Sequence, residues 1–339
     1  MVLPDRGPLA NDLHAAGIEL IIRPLSVIRR EHASASGLAR LTTAAARDAA
    51  ALARLIRARD IALVHSNTSV IPGAAAAAAL ARVPHICHIR EDYSRFGKVW
   101  PIYRQYLLRS AAALSCVSRA TARQFGSDAK ATVVHDGLAG RATRMEASAA
   151  RQQLGVPENQ PAIAVVGRIS DWKGQDVLIR ALAQPELSNA IGIIAGEAWP
   201  GAEDRLARVQ ELARVCAVSD RVRFVGFRDD VSIVYGAADL VAVPSTAPDP
   251  LPGAAIEAAS AGCAVIASAH GGLPEIIRDG ETGRLVAPGD AAALARVARQ
   301  LLDDPRERER LGAAAAADVR VRFAPERLLD QVQALYDEL

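Results

Sequence analysis

Arg168 and Lys173 stand five residues apart in the segment VVGRISDWKGQDVLIRAL, just past an apolar run that reads as a buried strand ending at Gly167. Two cations beside the start of a helix suit a diphosphate, because the helix N-terminus and the side chains all favour negative charge. They would neutralise charge on a phosphate leaving group without a metal. Taken alone, an Arg-x4-Lys pair reads as two surface cations on a solvated loop. The strand-end position and the rarity of lysine (Lys98, Lys130 and Lys173 only) bring the chemical reading level with that one.

A second group lies in STAPDPLPGAAIEAASAGCAVIAS, from Ser245 to Ser268. Asp249 sits between two prolines, and Pro250 and Pro252 keep Leu251 extended. A helix is predicted to start near Gly253. Its free N–H groups, on Ala254 and Ala255, would face an anion. Asp249 can reach a sugar-sized group. Glu257, eight residues later and about one turn into the helix, can accept two hydrogen bonds from a cis-diol such as a ribose. The surrounding small apolar residues predict a buried helix, and a buried carboxylate needs a partner.

Three further stretches carry candidate groups. In SAHGGLPEIIRDGETGRLV, Gly271 and Gly272 allow close backbone approach, Glu275 falls in a short helix, and DGETG is a turn. In PHICHIRED, a predicted strand ends in a cluster of His88, Arg90 and Glu91, which fits either a structural histidine or a reactive one. Trp100, Tyr103 and Tyr106 in KVWPIYRQYLLRSA mix with Lys98, Arg104 and Arg109. That pattern predicts a helix with its aromatics packed inward; contact with a membrane surface or an amphipathic acceptor is the other reading.

The elements that must position these groups follow from hydropathy. Apolar runs begin at Ile18, Ile61, Pro84, Ala113 and Ala131, and a second series at Ala162, Ile191, Arg221, Asp239, Cys263 and Gly283. Most are continuous rather than alternating, which predicts strands buried on both faces of parallel sheets. Alanine- and leucine-rich segments between them predict helices, such as Leu41 to Arg59 and one after Gly174. The fold class is therefore α/β, with two doubly wound domains, 1–145 and 146–339, joined within the polar stretch Asp136 to Glu158. The chain opens with what reads as the end of a second strand, so a first β–α unit is expected to be absent.

Composition narrows the function. Half of the 339 residues are apolar, enough for two cores. No apolar run is long enough to cross a membrane, no secretory leader is evident at Met1, and the four cysteines form no CxxC pair, which points to buried thiols in a reducing cytoplasm. The net charge of +2 hides an asymmetry: residues 1–145 carry 20 Lys+Arg against 10 Asp+Glu, and residues 146–339 carry 20 against 28. The sequence contains no Asp-x-Asp, no P-loop, no GxGxxG and no HExxH.

Together these motifs resemble family 4 of the retaining glycosyltransferases, whose architecture is GT-B, over nearly the whole chain and most strongly over 162–290. VVGRISDWKG is similar to that family's Gly-Arg…Lys-Gly phosphate segment. DPLPGAAIE is similar to its signature of an acid, seven residues and a Glu. FVGFRDDVSIVYGAADLVAVPS is similar to its base-binding loop and strand.

The resemblance implies two Rossmann-like domains facing a central cleft, with the last helix packing back on the first. It implies bacterial, cytoplasmic transfer of a sugar from a nucleotide-diphosphate sugar to an acceptor hydroxyl, with retention and without a metal or other cofactor. Arg168 and Lys173 would hold the diphosphate and Asp249 the transferred sugar. Amides around Gly253, Ala254 and Ala255 would bind sugar or phosphate. Glu257 would hold the ribose and the backbone near Arg228 the base, while His88 would lie close to the reacting sugar.

The basic N-terminal half, with Arg29, Arg30 and Arg104, points to an anionic glycan or lipid-linked acceptor, with peripheral membrane contact and no nucleic acid. Two departures stand out: the family's Glu-Pro-Phe-Gly is Asp-Pro-Leu-Pro here, and its first strand with a Gly-Gly loop is expected to be missing. An impaired nucleotide-sugar-binding protein and a sugar-nucleotide epimerase of similar fold are the alternatives.

Overall fold

The apolar runs become strands in a computed structural model of the chain, which describes residues 1–29, 32, 34–94, 96–138, 140 and 142–339, without the side chains of Pro8 and Lys98. Arg30 and the Lys98 side chain therefore lie outside the described residues. Two compact units are present. One comprises Met1–Val117, Thr121–Val134 and Val332–Leu339; the other comprises Ser118–Ala120 and His135–Gln331.

In the first unit, β1 (Val2–Leu3), α1 (Pro8–Ala15), β2 (Ile21–Ile22), α2 (Ala35–Ala58), β3 (Val64–Ser66), α3 (Pro72–Ala81), β4 (His85–Ile89), α4 (Trp100–Ser110) and β5 (Ala113–Cys116) follow in order. After α5 (Arg119–Ala122), which straddles the division between units, comes β6 (Ala131–Val133). Strands β3 to β6 form a parallel sheet in sequential order, and β1 pairs with β2 in a separate two-stranded sheet. The strand expected from Ile18 is only two residues long, Ile21–Ile22, and pairs among the described residues with Val2–Leu3. The aromatics of α4 turn inward: Trp100 stacks on Tyr93 at 4.3 Å and meets Phe125 edge-on.

The second unit runs through α6 (Ala147–Leu154), β7 (Ala162–Val166), α7 (Gln175–Leu182), β8 (Ile191–Ala195), α8 (Asp204–Val215), β9 (Val222–Gly226), α9 (Ser232–Ala237) and β10 (Leu240–Val243). It continues with α10 (Gly253–Ser260), β11 (Val265–Ser268), α11 (Leu273–Ile276), β12 (Arg284–Val286), α12 (Ala291–Asp303) and α13 (Pro305–Arg322). Helix α14 (Pro325–Asp337) begins in this unit and ends in the first. The sheet is parallel, in the order β12-β11-β10-β7-β8-β9.

Continuous apolar strands are explained by two cores, one on each sheet face. On β7, Ala162 and Ala164 join one core while Ile163 and Val165 join the other; Val241 and Leu240 of β10 divide in the same way. Alternation of side chains thus leaves no polar face on these strands. Three of the four cysteines are buried and all are free; Cys216, expected to be buried, is only half-buried.

Candidate functional site

Strand order reverses between β7 and β10: the chain steps outward from β7 to β9, then returns to lay β10 on the other side of β7. A crevice opens at the carboxyl ends of strands at such a switch point. The loops after β7, β10 and β11 meet there and interlock. Gly174 caps α7 at φ +81°, and a Cβ on it would stand 1.9 Å from the Pro244 carbonyl oxygen. The Thr246 N–H donates to Trp172 O at 2.8 Å, and the Gly272 N–H to Asp249 O at 2.7 Å. Side chains at Gly271 and Gly272 would strike the Asp249 and Pro250 backbones, at 2.5 and 2.1 Å. The glycines thus permit three loops to share one small volume.

That packing brings Lys173 to Asp249. Its Nζ lies 2.6 Å from Oδ2, with side chains 22% and 7% exposed, and stands 4.5 Å above the Trp172 ring. Arg168 is arranged differently. Its guanidinium lies 4.1 Å over the ring of Trp199 and, among the described residues, makes no hydrogen bond or ion pair. Partial burial and the nearby Arg205 charge push its pKa below the ordinary value, against the pull of Asp249. Below it, the buried Gln175 donates from Nε2 to Arg168 O at 3.0 Å, which fixes the backbone that carries the guanidinium.

Pro252 is the N-cap of α10, and the Ala255 N–H donates to Pro252 O at 3.0 Å. The expectation of a free Ala255 N–H is therefore corrected: a tight first turn consumes it, and only Gly253 and Ala254 keep N–H groups free for an anion among the described residues. Glu257 is half-buried and its carboxylate curls back toward the helix start, with Oε1 3.7 Å from where a Gly253 Cβ would lie. Its buried-side partner is Tyr235 of α9, whose hydroxyl donates to Oε2 at 3.2 Å. Burial first, and the Glu257 charge second, push the Tyr235 phenol up, so it stays a donor.

Arg228 donates from Nε to Val225 O at 3.0 Å, so its side chain braces the loop after β9. Arg228 lines a cleft of about 390 Å³ with Gly167, Arg168, Glu197, Trp199 and Phe227. Glu197 accepts the Phe227 N–H at 3.4 Å.

His88 belongs to the first unit and the remaining site residues to the second. It is 3% exposed, stacks at 5.7 Å on His65, and its Nε2 finds no partner among the described residues. His65 Nδ1 in turn meets the Tyr336 hydroxyl at 2.8 Å. Burial, then the Arg90 and His65 charges, hold His88 down to about 3, so the ring is neutral at physiological pH. Arg90 and Glu91 are committed elsewhere: Arg90 Nε donates to Asn67 Oδ1 at 3.1 Å, and the Thr68 and Ser69 hydroxyls donate to Glu91. Glu275 faces structure rather than a ligand. It accepts the N–H groups of Arg119 and Ala120 at 2.8 and 2.9 Å and meets His135 Nε2 at 3.2 Å.

The family described as Glycosyl transferases group 1 matches residues 146–318, and Glycosyltransferase Family 4 matches residues 9–138. The chain belongs to the group 1 glycosyl transferases. Its fold is that of the GT-B enzymes. Anabaena HepE, solved with UDP and glucose, shares 27% identity and superposes with a TM-score of 0.85, covering 100% of this chain and 91% of that one. Sucrose-phosphate synthase from Thermosynechococcus elongatus superposes at 0.76 with 23% identity, over 96% and 90% of the chains. The D-inositol 3-phosphate glycosyltransferase of Corynebacterium aurimucosum is 38% identical over 194 residues, 55% of this chain and 45% of that protein. That of Streptomyces coelicolor is 39% identical over 182 residues, 50% and 38%. The chain thus spans about half the length of the curated relatives it matches.

In this group 1 glycosyl transferase, the residues that the motifs did not disclose are Trp199, Glu197 and Tyr235. Trp199 had one usable signal: it is one of three tryptophans in an aromatic-poor chain, and it follows the strand end at Gly196. Tyr235 had none, since it falls inside a short apolar helix.

Proposed function

We propose that the chain is a retaining, metal-independent glycosyltransferase that moves a sugar from a nucleotide-diphosphate sugar to an acceptor hydroxyl in glycan, polysaccharide or glycolipid synthesis. The observation that carries this reading is the meeting of Arg168, Lys173, Asp249 and the start of α10 at the β7–β10 switch point. HepE, of similar fold over the full chain, was solved with UDP and glucose, which supports a nucleotide-sugar donor.

In this reading the anomeric C–O bond to the diphosphate breaks with its electron pair leaving on the phosphate oxygen. Arg168, Lys173 and the Gly253 and Ala254 amides hold the charge that develops there. The acceptor oxygen bonds to the anomeric carbon on the same face, and its proton passes to the departing phosphate. Asp249 orients the sugar and Glu257 the ribose. The lack of an Asp-x-Asp pair supports action without a metal.

The acceptor we favour is anionic, on the strength of the basic first half. Arg104 is a poor part of that case, since its guanidinium donates to Phe125 O. No helix among the described residues is long and apolar enough to cross a membrane.

The test is transfer from UDP-, GDP- and ADP-sugars to lipid-linked and phosphorylated acceptors, with and without EDTA, followed by NMR of the product anomer. Retained configuration with EDTA-insensitive turnover is expected. Donor binding with neither transfer nor donor hydrolysis would overturn the catalytic reading in favour of a binding protein. Acceptor-independent sugar inversion would favour an epimerase.

A further inference from the structure

We propose that Trp199 is a positioning residue: its indole face holds the Arg168 guanidinium in place for the donor diphosphate before the donor arrives. The inference deepens the donor-binding reading above and rests on it.

Two cations serve the same anion in that reading, yet they are held in different ways. Lys173 has a carboxylate, Asp249, at 2.6 Å. Arg168 has none within ion-pair distance among the described residues, and Arg205 repels it. A long guanidinium side chain with no fixed partner samples many rotamers, and ordering it costs conformational entropy on binding. Among the described residues the direct contact that restrains its guanidinium is Trp199, whose ring centroid lies 4.1 Å from the guanidinium carbon. A guanidinium stacked on a ring face keeps its in-plane N–H donors free, whereas an ion pair would spend them. Trp199 therefore restrains Arg168 without neutralising it.

The placement of Trp199 agrees. It lies beyond Gly196 at the end of β8, on the rim of the cleft that Arg168 also lines. It is 56% exposed, so the fold does not need it as core. A large aromatic left open at the mouth of a charged cleft is unexplained by packing and explained by the cation it carries.

The experiment is calorimetric titration of the full chain with UDP, GDP and ADP, then with the monophosphate and nucleoside of whichever binds tightest. Wild type is compared with W199A, W199F, R168A and the double variant, and each fold is checked by thermal melting. W199A is expected to weaken diphosphate binding roughly 3- to 30-fold, the span of a cation–π contact from exposed to desolvated. It should leave nucleoside binding unchanged, W199F should recover part of the loss, and W199A should add nothing in the R168A background. Normal diphosphate affinity in W199A would overturn the proposal, as would equal losses for nucleoside and diphosphate, which would make Trp199 a platform for the base. Failure of wild type to bind any of the three diphosphates would instead overturn the donor-binding reading, and the proposal with it.

Discussion

Lys173 and Asp249, 76 residues apart in sequence, form an ion pair of 2.6 Å across the reversal in strand order. The sequence motifs assign them separate tasks, phosphate and sugar. In the folded chain each holds the other, so the acid proposed to meet the sugar also sets the charge proposed to meet the phosphate.

Removing the acid should therefore split binding from turnover. Asp249→Asn keeps the shape but frees the full Lys173 charge. Nucleoside diphosphate binding should hold or tighten, while sugar transfer falls by about 10²-fold, the scale of losing one preorganised polar contact at a reacting centre. Calorimetry and a transfer assay on the same preparation check both directions. Lys173→Ala should weaken diphosphate binding by roughly 10- to 100-fold, as expected for a lost charge-assisted hydrogen bond.

Glu257 and Tyr235 should report on the sugar of the nucleotide. Glu257→Ala is expected to reduce affinity for a ribonucleoside diphosphate by roughly 10-fold or more, and to erase discrimination against the 2′- and 3′-deoxy forms. Tyr235→Phe removes one hydrogen bond to Glu257 and should cost about 1 kcal/mol or less of binding. Equal losses for ribo and deoxy nucleotides in the Glu257 variant would remove its assignment to the ribose.

Gly174 should tolerate no side chain. Gly174→Ala puts a Cβ into the Pro244 carbonyl at positive φ, and unfolding should become easier by about 3 kcal/mol or more. Gly201, at φ +83° with nothing near its Cβ, is the control. Gly201→Ala should cost only the left-handed backbone penalty of about 1–2 kcal/mol. Chemical denaturation of the two variants measures the difference.

Two buried histidines should make the first unit sensitive to mild acid. Burial holds His85 down to about 4 and His88 to about 3, while an unfolded histidine titrates near 6.5. Between those values the unfolded chain binds more protons, so stability is full above pH 6.5 and falls as pH drops. At pH 5 the loss should be about 2 kcal/mol per histidine. Replacing either ring by Asn or Gln should flatten the profile. Direct NMR titration should show both rings neutral at pH 5.5.

Glu275 should add a second acid-sensitive step. Burial alone would raise its carboxyl, but hydrogen bonds from His135, Arg119 and Ala120 outweigh that and leave it below the ordinary value. A depressed carboxyl stabilises the fold above its unfolded pKa and loses that contribution as pH falls through the folded one. Glu275→Gln should lower stability by about 1–3 kcal/mol at pH 7 and by less at pH 3.

Strands were legible because both faces of each sheet are buried, so every position from Ile163 to Val165 had to be apolar. Arg168, Lys173 and Asp249 stood out as candidates because loops at strand ends carry unusual polar residues next to glycine and proline, and Glu257 because it is the lone carboxylate of a small apolar helix. Ala255 was not, because hydrogen-bond closure of a first turn after Pro252 depends on backbone angles that composition does not encode. Pairings such as Trp199 with Arg168, Tyr235 with Glu257 and His65 with His88 join separate elements, and no periodicity spans them. The two-residue length of β2 also escaped, since its own β-branched run is longer than its pairing with Val2–Leu3.

The wedge of Gly174 beneath Pro244, with Gly271 and Gly272 beneath Asp249 and Pro250, has a consequence for engineering. The three loops form one cassette. Grafting a donor loop from a relative at 244–252 alone would meet foreign walls on both sides, so specificity exchange would have to move 167–175, 244–252 and 270–272 as a block.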